Sequence, residues 1–169
     1  MSNGLKPIEA GNLTDNVFSL IGKDWMLITA GTIDNYNTMT ASWGGLGHLW
    51  NKDVCFVFVR PSRYTYEFME KNDTFSLCFF SEEWRKALNV CGTKSGRDID
   101  KAKETGLKPI PGDHQTTVFE QARLVIECKK IYYQDFNPAQ FLDPSIEKNY
   151  NGSNYHRMYI GEILRISAK

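Results

Sequence analysis

Three stretches of this chain carry residues able to do chemistry, and all three suit holding a ligand better than breaking a bond. Asn37-Thr38-Met39-Thr40-Ala41-Ser42-Trp43-Gly44-Gly45 mixes hydroxyls, small side chains and an aromatic ring. In an extended strand Thr38, Thr40 and Ser42 share one face. Small side chains let a flat ring approach the backbone, whose N–H and C=O groups can bond its polar edge, though an ordinary Thr-rich edge strand has the same composition. Arg60-Pro61-Ser62-Arg63-Tyr64-Thr65 follows an apolar run and precedes a helical one. Helix N-termini offer free N–H groups and arginine offers paired donors, so this turn could cradle a monophosphate or be simply a solvated basic turn. Cys91-Gly92-Thr93-Lys94-Ser95-Gly96-Arg97-Asp98, with Lys101 beyond it, collects glycines, hydroxyls and cations around a helix start.

Several chemistries are excluded by spacing. A phosphate loop of the G-x-x-x-x-G-K-[ST] type is absent, since Lys94 precedes Ser95-Gly96. Gly45 and Gly47 begin a G-x-G-x-x-G pattern, but Trp50 stands at its third glycine. The four cysteines, Cys55, Cys78, Cys91 and Cys128, form no C-x-x-C pair, and the three histidines, His48, His114 and His156, are scattered, so no metal site is expected. No G-x-S-x-G elbow is present, which disfavours a hydrolase. His156 stands out only because it opens the last strand. Poor side-chain chemistry beside ring- and phosphate-binding features points to a bound cofactor that does the hard step.

These segments need elements to hold them. The sequence predicts a helix from Thr14 as N-cap to about Gly22, then a strand over Trp25 to Ile33, a turn at Asp34 to Asn37, and a returning strand over Thr38 to Trp43 that Gly44-Gly45 ends. Val54 to Val59 is continuously apolar, as in a strand covered on both faces. Ser62 or Thr65 should cap a helix ending at Asn72, and Thr74 to Phe80 reads as a strand. Ser81 should cap a helix that ends at Gly92, and Asp98 one over Ile99 to Thr105. Pro109 to Thr116 reads as loop, Val118 to Asp135 as a long strand or hairpin limb, Asn137 to Gly152 as an exposed excursion, and Tyr155 to Ile166 as the last strand. Six or more strands without regular helix alternation favour an antiparallel barrel with inserted helices over a doubly wound sheet.

Composition agrees with one globular domain. The chain has 169 residues, 41% hydrophobic and 24% charged, which is enough to bury a core. Twenty basic and twenty acidic residues balance, so neither nucleic acid nor an anionic membrane is an expected partner. Met1 to Ala10 lacks the features of a secretory signal, and apolar runs such as Val54 to Val59 are too short to span a bilayer. Cytoplasmic location and reduced, buried thiols are the expectations.

Taken in order, five stretches resemble the flavin reductase-like family, especially its flavoredoxin branch. They are Gly22 to Gly31, Asn37 to Gly47, Arg60 to Thr65, Ser95-Gly96-Arg97-Asp98 with Lys101, and Tyr159-Ile160-Gly161-Glu162-Ile163. The resemblance covers nearly the whole chain, residues 1–169, as a single domain. It implies an all-β fold, a Greek-key split β-barrel with short inserted helices, that binds FMN and forms a homodimer. It also implies site residues. Asn37, Met39, Thr40, Ala41, Ser42 and Trp43 lie along the isoalloxazine strand. Arg60, Ser62, Arg63 and Thr65 hold the ribityl phosphate region. Cys91, Gly92, Ser95, Gly96 and Lys101 close the site, with His156 near the flavin as the catalytic candidate. For Cys91 a packing or ligand-contact role is preferred to a redox one.

The function implied is an NAD(P)H-dependent flavin oxidoreductase. The alternative is a flavoredoxin-like carrier whose bound FMN takes electrons from a redox partner protein. A flavin-binding module without turnover is a third reading. A pyridoxamine-phosphate-oxidase-like enzyme shares a similar barrel but matches the motifs less well.

Overall fold

The computed structural model describes residues 4–169. In chain order its elements are β1 (Lys6–Ile8), α1 (Val17–Ser19), β2 (Met26–Thr32), β3 (Asn35–Ala41), β4 (Gly44–Leu49), β5 (Lys52–Val59), α2 (Tyr64–Lys71), β6 (Thr74–Phe79), α3 (Arg85–Thr93), α4 (Lys101–Thr105), β7 (Pro109–Pro111), β8 (Thr117–Phe119), β9 (Leu124–Asp135) and β10 (Arg157–Ala168). Eight strands form one antiparallel sheet in the order β3-β2-β6-β9-β10-β5-β4, with β1 added to β10. β7 and β8 make a separate hairpin.

The two ends of that path, β3 and β4, are consecutive in the chain and separated only by Ser42 and Trp43. The chain runs from β3 into β4 without a turn, so the sheet curls until its two edge strands meet end to end, and no ladder joins them. This is a barrel with a split, mostly β with a few short helices.

Its interior is filled by one apolar cluster that includes Met26, Ile28, Val57, Phe75, Phe79, Ile126 and Tyr159. A second cluster, with Leu27, Cys78, Leu88, Cys91, Phe119 and Val125, packs α3 and the β7–β8 hairpin on the outer face. Alternation along β2 and β6 sends neighbouring residues to opposite clusters. Each fully buried side chain of this size contributes about 1.5–3 kcal/mol. All four cysteines are free and buried, so packing and not covalent bridging holds the fold. Cys55 and Cys128 lie 3.4 Å apart, sulfur to sulfur, as thiols.

Several expectations need correction. The first helix is capped by Asn16, whose Oδ1 accepts from the Ser19 N–H, and not by Thr14; it passes into a π-helical stretch at Leu20–Asp24. Gly44-Gly45 does not end the sheet but opens β4, which pairs with β5 across a turn where Trp50 and Asn51 both take positive φ, 54° and 59°. Those angles give the twist a two-residue hairpin needs. Neither Ser62 nor Thr65 caps α2; Arg63 occupies that position without a side-chain bond. Ser81 stands at the N-cap of the 3-10 turn Glu82–Trp84 that leads into α3, but its hydroxyl donates to Glu83 and makes no cap bond, and α3 runs past Gly92 to Thr93. α4 starts at Lys101, capped by Asp100 and not Asp98, and ends as expected at left-handed Gly106. The Pro109 to Thr116 loop begins with β7, and Val118 to Asp135 divides into β8 and β9.

Candidate functional site

β3 is an edge strand, so one side of its backbone has no ladder partner. At the end where β3, β5 and β10 converge, a groove of about 160 Å³ opens, lined by Met39, Thr40, Ala41, Ser42, Trp43, Phe58, Arg60, Arg63 and His156. A second groove of about 210 Å³ adjoins it, lined by Asn37, Met39, Ser62, Arg63, Tyr64, Thr65, Thr93, Lys94, Ser95, Gly96 and Lys101. Met39 and Arg63 belong to both. The result is a continuous slot along β3, flat and aromatic at one end, cationic and hydroxyl-rich at the other.

The cationic end is built around the start of α2. Its first-turn N–H groups have no side-chain cap, and eight residues give it a dipole. Arg63 donates through Nη1 to the Gly92 carbonyl at 2.7 Å, which leaves its remaining N–H groups free to face the groove. Lys101, 7% exposed, donates to the Thr38 and Cys91 carbonyls at 2.7 Å each, and a third N–H remains. Burial lowers its ammonium to about 8; Cys91 opposes the fall and Arg63 adds to it. Thr65 Oγ1 accepts from Asn37 Nδ2 at 2.7 Å, and Ser95 Oγ accepts from the Arg97 N–H, so both hydroxyl protons stay available. Gly96 is needed for close approach: a Cβ there would collide with Asn37 Oδ1. Arg97 closes the outer side through an ion pair with Glu67, while lying over the Tyr64 ring.

The flat end is walled by Trp43, Phe58 and His156, with ring centroids of Trp43 and His156 5.3 Å apart. Tyr150 O and His156 Nδ1 are 2.8 Å apart. Burial lowers the His156 imidazole to about 4, aided by Arg60 and Arg63, so it is neutral at pH 7. The wall is backed by the Asn137 to Gly152 excursion, which is not simply exposed. Two 3-10 turns, Pro138–Gln140 and Pro144–Asn149, fold it back so that Phe141 stacks on Tyr150 at 5.8 Å and Tyr150 is 5% exposed. Asn154 then clamps Ser62, accepting from its N–H at 3.1 Å and donating to its Oγ at 2.8 Å.

Most residues singled out in the sequence meet in this slot. Two do not line it. Cys91 is fully buried, with its thiol pushed up to about 11, and contributes only a carbonyl to Lys101. Gly92 lies in α3, where its bareness lets the helix approach Thr40, and its carbonyl anchors Arg63. Thr40 is present, but its hydroxyl donates to the Leu88 carbonyl at 2.5 Å, so only its backbone is open. Arg60 lines the first groove and not the second: its Nη2 donates to Asn149 O at 2.7 Å, and its guanidinium sits 5.0 Å from the Tyr150 ring centre. Phe58, Tyr64, Tyr150 and Asn154 escaped sequence reasoning. Phe58 could have been found as the last aromatic of its strand. Tyr150 and Asn154 gave no local signal.

Among the described residues no group of three or more His, Cys, Asp or Glu side chains could hold a metal ion, and no helix is long and apolar enough to cross a membrane.

Residues 18–169 match the model of the flavin reductase like domain. No curated protein matches the chain. Among solved structures, a flavoredoxin from Methanosarcina acetivorans superposes with a TM-score of 0.69 at 22% identity, covering 96% of this chain and 76% of that one. An FMN-binding protein from Thermus thermophilus, solved with bound p-hydroxybenzaldehyde, gives 0.69 at 16% identity over 97% and 82%. An NADH:FAD oxidoreductase from Streptomyces globisporus gives 0.66 at 13% identity over 86% and 75%. At these identities the likeness speaks for the fold.

Proposed function

Since the chain belongs to the flavin reductase like family, we propose that it binds FMN in the slot along β3 and acts as a flavin-dependent oxidoreductase reduced by NAD(P)H. The observation that carries this is the two-ended slot: an edge-strand backbone beside aromatic walls, running into a basin of unspent donors at an uncapped helix start. A flavin mononucleotide has the matching form, a flat ring with polar edges and a dianionic tail. Arg63, Lys101, Ser95, Thr65 and the α2 amides would hold the phosphate. Met39, the Thr40 and Ala41 backbone, Ser42 and Trp43 would line the ring. Bound there, the flavin supplies hydride and electron chemistry, while the protein positions it and sets the field around it. No general base is required of the side chains.

A second reading, an electron carrier served by a protein partner, is favoured by Trp43. This ring borders the slot and is 46% exposed, so it offers a partner direct access to the ring end. A homodimer is part of the proposal: Trp50 and Tyr132 pair at 6.0 Å and remain 56% and 41% exposed, an aromatic patch suited to a second copy. Sedimentation should give a dimer, and a monomer that still binds FMN tightly would remove it. The four free thiols fit a reducing cytoplasm.

Anaerobic absorbance titration with NADH and then NADPH tests the main reading. A yellow protein bleached by either nucleotide supports the reductase. Bleaching by dithionite alone supports the carrier. A protein that takes up no added FMN refutes both.

A further inference from the structure

His156 lines the ring end of the slot, yet its hydrogen bonding is set from outside it, by Tyr150. Its Nδ1 lies 2.8 Å from the Tyr150 hydroxyl, and Nε2 makes no hydrogen bond among the described residues. No buried side-chain nitrogen or oxygen of the described residues lacks a partner, so Nε2 is not sealed in the core; it opens on the groove that His156 lines.

The direction of the Tyr150 bond decides what the groove meets. Tyr150 is almost wholly buried, and among the described residues its hydroxyl has no neighbour other than Nδ1 to accept its proton. If Nδ1 carried a proton, it would donate to the phenol oxygen, and the phenol proton would be left without an acceptor among the described residues. If the phenol donates, both groups are satisfied and the imidazole proton must reside on Nε2. A neutral imidazole is what the site favours, because burial and two guanidiniums, Arg60 and Arg63, all oppose a positive charge there. Arg60 also holds the pair in place, over the Tyr150 ring and bonded to the preceding carbonyl of Asn149. Phe141 also supports Tyr150 by stacking on its ring.

The geometry points to Tyr150 as a positioning residue: its hydroxyl donates to Nδ1 of His156 and so presents a neutral Nε2–H to the groove, aimed at a carbonyl acceptor on bound flavin or on the nicotinamide that reduces it. The identity of that acceptor rests on the flavin reading above; the Tyr150–His156 pair does not. The assignment gives the Asn137 to Gly152 excursion a purpose, since it carries into the site a residue that sets the histidine's tautomer.

Nitrogen-15 NMR of the apoprotein, labelled at histidine, tests the pair without any cofactor, and His156→Asn identifies the His156 signals. Wild type should show a protonated, pyrrole-type Nε2 and an unprotonated, pyridine-type Nδ1. Tyr150→Phe should shift the Nδ1 signal toward the pyrrole type as the two tautomers mix. Protonated Nδ1 in wild type overturns the proposal even if the variant does not fold, and so does an unchanged spectrum in a folded variant. With FMN bound, Tyr150→Phe should slow flavin reduction by NAD(P)H about tenfold, the worth of one neutral hydrogen bond, with FMN affinity unchanged. An unchanged rate overturns the positioning role. Wild type that takes up no FMN overturns the flavin acceptor, while the apoprotein spectrum still decides the pair.

Discussion

Replacing Lys101 with Met should weaken FMN binding and abolish its dependence on alkaline pH. The ammonium is 7% exposed and spends two of its three N–H groups on the Thr38 and Cys91 carbonyls. The third is left for the phosphate, and one charge-assisted bond of that kind is worth about 1.5–3 kcal/mol, roughly ten- to a hundredfold in Kd. Burial lowers the Lys101 ammonium to about 8. A phosphate monoester completes its second ionisation near about pH 6, so full opposite charges coexist from there up to the lysine's own titration. Above it, the apoprotein must take up a proton to bind, at about 1.4 kcal/mol per pH unit, and Kd should rise by up to about tenfold per unit. Quenching of FMN fluorescence by apoprotein, from about pH 6.5 to about 9.5, reads this directly. Wild type should show the alkaline rise; Lys101→Met should start weaker and stay flat. Riboflavin, which lacks the phosphate, should bind both proteins equally, which separates a lost phosphate contact from a damaged slot. Parallel pH curves for the two proteins, or a flat wild-type curve, would refute the reasoning.

The two arginines should separate by end. Arg63→Ala should raise the FMN Kd by about tenfold or more, and Arg60→Ala, whose side chain serves the ring end, by less; equal losses would contradict the placement. Gly96→Ala drives a Cβ into Asn37 Oδ1 and within 3.3 Å of Tyr64. It should loosen FMN and lower the melting temperature by about 2–4 °C per kcal/mol lost; unchanged FMN affinity would count against a tight contact there. For His156 the folded pKa, about 4, lies below its ordinary 6.5. Between these values the unfolded chain binds a proton that the folded chain excludes, so stability falls as pH drops through that window, by up to about 3 kcal/mol. Urea midpoints of His156→Asn should fall less than those of wild type over that range, and an identical decline would show that other groups govern it.

What the sequence disclosed follows from how local each signal is. β2, β5, β6 and the end of α4 at Gly106 were legible because apolar runs and a left-handed glycine act within a few residues. β4 was not, since Gly44-Gly45-Leu46-Gly47 carries strand geometry only through its pairing with β5. The caps at Asn16 and Asp100 were misplaced by two residues, because Asp, Asn and Thr compete for one position and packing decides among them. The slot residues stood out because five stretches together resemble a family, and no single stretch would have been enough. Arg60 was grouped with its sequence neighbours Ser62 and Arg63, which line the second groove, while its own partners at Asn149 and Tyr150 lie far along the chain.

The location of the slot has a physical origin in the sheet. An open β-sheet has two edges whose unpaired N–H and C=O groups must be covered or used. Here the chain passes from the β3 edge to the β4 edge through Ser42-Trp43 without a turn, so neither edge pairs with the other. Along β3 the phosphate-end carbonyl of Thr38 is already taken by Lys101, a helix-borne cation that covers the edge and supplies charge with the same group. Further along, at Thr40 and Ala41, the edge adjoins the open groove. A planar ligand with alternating donors and acceptors on its rim can complete that edge as another strand would. On this argument the unpaired β3 edge is what the proposed flavin would complete, and substitutions that cover that edge should exclude the flavin.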